Sequence, residues 1–305
     1  MRNAVGLGFS ASMLGLSMLW GAALPAAAGP AVNQFEIKDL DIEQGEVEIE
    51  DQADFSFGQP RRKFIDGGGD DVEFDDNEVS RQRHSLELSF GLTSRFKSTV
   101  GVELEEERFD EPDDFAQARA FGDLKATEIQ FEGVAVLIPI ENNGVGIGAY
   151  YEFQVPRGDE AKTLFLGSIV QAVDGPWSAT GNFAFVKFIG GEARDEKWDF
   201  AYFTQVKYEM SDRLALALEA FGTIDRLGHS GRPSEVSAMI GDQDQHRVGP
   251  VVYYTFKPER RPTSKAADGD GDDDGGSVTV GVGYLLGLNE NTPDSTLKLA
   301  VEVEF

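Results

Sequence analysis

The chain has 305 residues, 54 Asp and Glu against 27 Lys and Arg, a formal charge of −27, and no cysteine. A surface of that sign repels nucleic acid and anionic lipid headgroups. The absence of thiols excludes disulfides, thiolate metal sites and a lipidated cysteine.

The first stretch is MRNAVGLGFSASMLGLSMLWGAALPAAAGP. Arg2 gives a positive start, Ala4 to Leu24 is apolar, and Ala26, Ala27 and Ala28 are the small residues of a cleavage site. Residues 1–28 therefore read as a secretory signal peptide. An uncleaved anchor is the alternative, since the run is long enough to span a bilayer, but no stop-transfer charges follow it. After Gly29 no apolar stretch approaches the ~20 residues of a transmembrane helix, so any membrane crossing is made by strands. Residues 29–45 are expected as an N-terminal periplasmic segment; whether they form a tail, plug a lumen or pair elsewhere stays open.

From Glu46 to Phe305 the period-two pattern predicts twelve strands, near 46–57, 82–92, 95–106, 122–138, 144–155, 161–173, 176–189, 197–210, 213–224, 246–257, 277–288 and 295–305. In the second, Leu86, Leu88, Phe90 and Leu92 oppose Ser85, Glu87, Ser89 and Gly91. In the fifth, Val145, Ile147, Ala149, Tyr151 and Phe153 oppose Gly146, Gly148, Tyr150, Glu152 and Gln154. The sixth, TLFLGSIVQAV, is apolar on both faces.

Tight connections at 93–94, 141–143, 174–175 and 211–212 alternate with longer polar ones at 58–81, 107–121, 156–160, 190–196 and 225–245. Short periplasmic turns and long extracellular loops alternate in this way in transmembrane barrels. Residues 258–276 break the rule, being long where a short turn is expected. They read as an acidic low-complexity insertion on the periplasmic side, or else mark a strand uncounted near Glu235–Ile240.

Alternation alone cannot separate a soluble barrel from a membrane one, but the aromatic residues can. Phe96, Trp177, Tyr208 and Phe305 fall at one end of the apolar face, and Phe153 and Trp198 at the other. Rings at both rims suit two membrane–water interfaces. The expected fold is all-β: a transmembrane antiparallel β-barrel of about twelve strands over residues 46–305. Glu46–Phe57 and Thr296–Phe305 seal it, because an open edge in hydrocarbon leaves backbone groups unsatisfied.

The last strand, LKLAVEVEF, has apolar residues at alternate positions and ends on Phe305. It resembles the C-terminal strand of Gram-negative outer-membrane β-barrel proteins. That resemblance implies an outer-membrane location, lipid around the wall, and the barrel-assembly machinery as a partner through Thr296–Phe305. The glycine-aromatic strands and the YLLGLNENTPDSTLKL hairpin resemble the uncharacterised transporter-like, or phenol-degradation-pathway, outer-membrane proteins.

The polar strand faces carry more acids than bases. One reading is a lumen that concentrates cations, with Glu103, Glu128, Glu152 and Glu209 as its selectivity carboxylates. The other is a filled interior of ion pairs, since a twelve-stranded barrel lies between packed small barrels and open pores. Gly146, Gly148, Gly281 and Gly283 share the polar face and leave room either for solute or for close packing.

Asp268, Asp270, Asp272 and Asp274 alternate as the oxygen ligands of calcium loops do, but no bidentate glutamate closes the set, and a solvated linker is the simpler reading. His84, His229 and His246 lack the nucleophile arrangement of a hydrolase; Ser85 follows His84 on the opposite strand face. The expectation is a non-enzymatic channel or transporter-like pore for small solutes, without cofactor and without nucleic-acid partner. A structural or surface-interaction barrel with a plugged lumen is the alternative.

Overall fold

Alternating apolar and polar side chains give extended segments with two unlike faces, and these pair edge to edge until no edge is left. A computed structural model describes residues 35–64, 72–109, 124–141, 143–158, 161–190, 198–224, 227, 244–257, 276–289 and 292–305. Among them lie twelve strands: β1 (Val47–Phe64), β2 (Val72–Thr93), β3 (Phe96–Phe109), β4 (Lys125–Ile138), β5 (Gly144–Pro156) and β6 (Lys162–Asp174) form the first half. The second half is β7 (Trp177–Ile189), β8 (Asp199–Ser211), β9 (Leu214–Ile224), β10 (Gln245–Phe256), β11 (Val278–Gly287) and β12 (Ser295–Glu304). Each strand pairs antiparallel with its neighbours in sequence, and β1 pairs with β12 from Glu48↔Glu304 to Phe57↔Ser295, closing the barrel. The Phe305 N–H donates to the Val47 carbonyl at 3.0 Å, so the terminal aromatic is fastened at the seam.

The two faces have the polarity of a membrane barrel. On β2, Leu86, Phe90 and Leu92 are exposed while Ser85, Glu87 and Ser89 are buried; on β5, Val145 and Tyr151 are exposed while Glu152 and Gln154 are buried. Acids inside and a continuous apolar belt outside invert the soluble arrangement, and hydrocarbon is the environment such a belt fits. Trp177 and Tyr208 touch, with ring centroids 4.6 Å apart, beside the short β6–β7 and β8–β9 turns, where an interfacial girdle belongs.

Two features depart from the sequence expectation. The loop expected over 58–81 is mostly strand, because β1 and β2 run for 18 and 22 residues, well beyond the ~10 that cross a bilayer. Gly58, at φ +65°, and register shifts between Ser56 and Arg61 interrupt the alternation; beyond them Arg61↔Asp75 and Lys63↔Glu73 continue the ladder as a charged hairpin. The run Gln59-Pro60-Arg61-Arg62-Lys63 lacks apolar residues at alternate positions, so that half of the hairpin carries no period-two signal.

The second feature is β6, whose Phe165 and Ile169 point inward. They join Val186 and Phe188 of β7, Phe203 of β8 and Phe221 of β9 in an apolar inner wall. The lumen is therefore acidic on one side and apolar on the other, not acidic throughout. Residues 258–276 lie in sequence between β10 and β11, whose ends Phe256 and Val278 are register partners at the end of the short turns. Most of that connection, Asp268, Asp270, Asp272 and Asp274 included, lies outside the described residues, as does Glu235–Ile240.

Candidate functional site in the barrel lumen

Residues 35–46 precede β1 and turn inward at the rim of the barrel. The turn is made at Gly45, whose φ of +93° favours glycine. Its N–H donates to the Gly91 carbonyl at 2.7 Å, and the Gly91 N–H donates back to Glu46 at 3.0 Å. From this anchor the segment FEIKDLDI lies within the barrel: Phe35, Lys38, Leu40 and Ile42 are all buried.

Each contact is with the inner wall. Leu40 sits over Gly146 and Gly148, where an added Cβ would come within 2.7 and 2.5 Å of its methyl carbons. The room those two glycines leave is thus filled by the chain itself. Phe35 meets Phe221 edge-on at 5.1 Å, with the Arg247 and Arg83 guanidinium groups 4.8 and 5.8 Å from its ring. The Lys38 N–H donates to Asn182 Oδ1 at 2.8 Å, and Asn182 Nδ2 donates back to the Lys38 carbonyl at 2.7 Å. The Leu40 N–H donates to Gln171 Oε1 at 2.9 Å.

Lys38 is the centre of the site. Its ammonium donates to Glu36 and Glu132, stands 3.8 Å from Glu152, and lies 5.6 Å from the Tyr150 ring centroid. The carboxyl oxygens of Glu36, Glu87 and Glu132 lie within 4.8 Å of one another. Burial by itself would push the Lys38 pKa down, but Glu132, Glu36 and Glu152 outweigh it and hold the ammonium well above its usual range. Voids of about 10 Å³ remain beside Phe35, enough for a single water each.

The rest of the wall is cross-braced. Lys298 of β12 is 2.7 Å from Glu219 of β9, which also accepts from the Tyr253 hydroxyl and from Gln205. Arg83 of β2 lies 3.0 Å from Asp54 and 3.7 Å from Glu103.

Of the four carboxylates chosen from sequence, three lie on adjoining strands. Glu103 of β3 and Glu128 of β4 are register partners, and Glu152 of β5 belongs to the Lys38 cage. Glu209 departs from the expected strand-interior position: it lies two residues before the end of β8 and is exposed, 3.9 Å from Lys207. His84 and Ser85 point to opposite sides, as their adjacency requires; His84 is 3.2 Å from Asp51, and Ser85 donates inward to Glu87. His246 is 2.9 Å from the Tyr202 hydroxyl, and His229 lies outside the described residues.

The sequence reading missed Lys38 because it looked for the site in the strands alone, and Asn182 and Tyr150, on β7 and β5, because it chose only carboxylates there. A signal was there: Phe35, Ile37, Leu40 and Ile42 are apolar residues that a solvated acidic tail would not need.

Removing the Asn182 amide is a direct test of how the segment is held. Asn182→Leu leaves a buried N–H and carbonyl of Lys38 without partners, at about 1–3 kcal/mol. Amide exchange at residues 38–40 should accelerate about tenfold or more while the wall strands keep their protection. Unchanged exchange would mean that the segment is held by its other contacts.

A closed wall, an apolar exterior and a charged interior define a transmembrane β-barrel of the outer-membrane type. No protein-family model and no curated protein matches the chain. Among solved structures, its fold is similar to that of an outer membrane channel from Pseudomonas putida F1, at 13% identity and TM-score 0.58, over 90% of this chain and 100% of that one. The NanC porin aligns at 8% identity and TM-score 0.46, over 84% of this chain and 98% of that one. The KdgM porin gives 8% and 0.42, over 85% and 98%.

Proposed function

We propose that the protein is a channel of the Gram-negative outer membrane for passive passage of small solutes, closed in this state by residues 35–42. The carrying observation is that the lumen is filled by a segment that, among the described residues, is held through hydrogen bonds, ion pairs and apolar contacts and anchored to the wall backbone at Gly45. Such a segment leaves without any strand of the wall unpairing. The fold-level likeness to an outer membrane channel supports the same reading. So does the retained polarity of the β2–β5 wall, where Glu103, Glu128 and Glu152 would favour cations in the opened lumen; Glu209, at the rim, would act on solutes approaching it. Lipid around the belt, and recognition of Thr296–Phe305 by the assembly machinery, complete this reading. No chemical step is part of it.

A permanently filled barrel acting through its surface is the second reading, favoured by the water-sized voids beside Phe35. Deleting residues 35–42 separates the two. In planar bilayers the intact chain should conduct little, and the deletion should raise single-channel conductance by about tenfold or more, as expected when a barrel of this strand number loses its filling. A folded deletion variant that conducts no better than the intact chain would leave only the second reading.

A further inference from the structure

We propose that the inner wall around Glu87, Glu132, Glu152 and Tyr150 is a binding subsite for a primary ammonium group carried on an apolar body, for which Lys38 is a tethered stand-in. The proposal rests on the channel reading above and names the class of solute that such a lumen would select.

Three observations converge on this wall. The first is stoichiometry: four carboxyl groups, Glu36, Glu87, Glu132 and Glu152, surround the single ammonium of Lys38. Glu36 belongs to the segment and departs with it, so the wall alone keeps three carboxyl groups. Lys97, on the same side, stands 3.1 Å from Glu48.

The second is Tyr150. Its ring lies 5.6 Å from the ammonium, within the range of cation–π attraction. Its hydroxyl is buried and has no hydrogen-bond partner among the described residues, although the residue is only 5% exposed. A buried hydroxyl without a partner costs free energy, and a second ammonium proton or a small polar ligand would remove that cost.

The third is the groove next to the cage. Val134 lies two positions along β4 from Glu132, about 7 Å away at strand spacing, and an apolar trough runs on from it to Gly148 and Gly146, four and six positions along β5 from Glu152 and about 13 and 20 Å away, where Leu40 rests. Across the register from Gly148, Ile169 continues it. A bare metal ion uses neither the aromatic face nor the trough; an alkylammonium uses both.

The test fills the site from solution. Lys38→Ala in the full chain removes three carbons and the ammonium, which n-propylammonium replaces atom for atom. Calorimetric titration of the refolded variant should give saturable binding with a Kd on the order of 1 mM, reasonable for so small a ligand. Adding Glu132→Gln should weaken it about tenfold or more, through loss of the charge partner. Propanol should not bind.

If Lys38→Ala does not fold, the unaltered chain serves: n-butylammonium should raise its open probability by displacing Lys38, while sodium at equal ionic strength should not. Absence of amine binding, or calcium binding in its place, overturns the subsite even where the deletion variant conducts. Amine binding to a chain that never conducts, with or without residues 35–42, upholds the subsite and overturns the channel.

Discussion

Lys38→Glu should expel the N-terminal segment and open the barrel. The substitution removes the ammonium that Glu36, Glu132 and Glu152 share and puts a fourth carboxyl group among them. Breaking a buried ion pair by removing one partner costs about 3–5 kcal/mol. Because each ~1.4 kcal/mol is a factor of ten, the balance between seated and released segment should move by about a hundredfold or more. The strand pairing of the wall is not involved in that change, since its twelve strands pair with one another and not with residues 35–42. Bilayer current and protease cleavage within 35–42 should therefore rise together, while the circular dichroism of the β wall stays unchanged. Current and protection both equal to those of the unaltered chain would show that Lys38 does not hold the segment.

The second large effect lies across the barrel. Glu219 is fully buried on β9, and Lys298 reaches it from β12 at 2.7 Å. Lys298→Leu leaves that carboxyl group with the Tyr253 hydroxyl and Gln205 but, among the described residues, no paired cation, at about 3–5 kcal/mol. The denaturant midpoint of the refolded barrel should fall accordingly. The double variant Lys298→Leu with Glu219→Leu should recover most of the loss, because apolar side chains of similar volume often replace a buried pair at little cost. A single variant as stable as the parent would show that Glu219 is satisfied by its neutral partners.

What the sequence made legible was whatever the membrane imposes. Leu86, Phe90, Val145 and Tyr151 lie where alternation puts them, since one face must meet hydrocarbon. The same constraint set the pairing of Thr296–Phe305 with the start of β1, because a barrel cannot keep an edge. Where that constraint stops, legibility stops too. Arg61 and Lys63 lie in a hairpin past the apolar belt, so nothing in their pattern announced a strand. The sixth strand, apolar on both faces, did not show which side met lipid; Phe165 and Ile169 pack against an interior that the chain itself fills.

The site was legible in part: Glu103, Glu128 and Glu152 are on one wall, as their strand parity implies. Glu209 has the right parity but the wrong height, which alternation does not encode. Lys38 escaped because its partners, Glu132 and Asn182, lie 94 and 144 residues away in sequence.

The anchor at Gly45 and Gly91 has a consequence for any solute. A segment released from the lumen stays attached at the rim, and at full extension residues 35–42 reach about 26 Å. Its local concentration near its own seat is then on the order of millimolar, whatever the abundance of the protein. A solute drawn to the same wall competes against this fixed internal rival, not against empty water. The tether therefore sets a threshold: scarce solutes leave the barrel shut, and it yields only to those that are plentiful or that grip the wall better than the chain's own residues do.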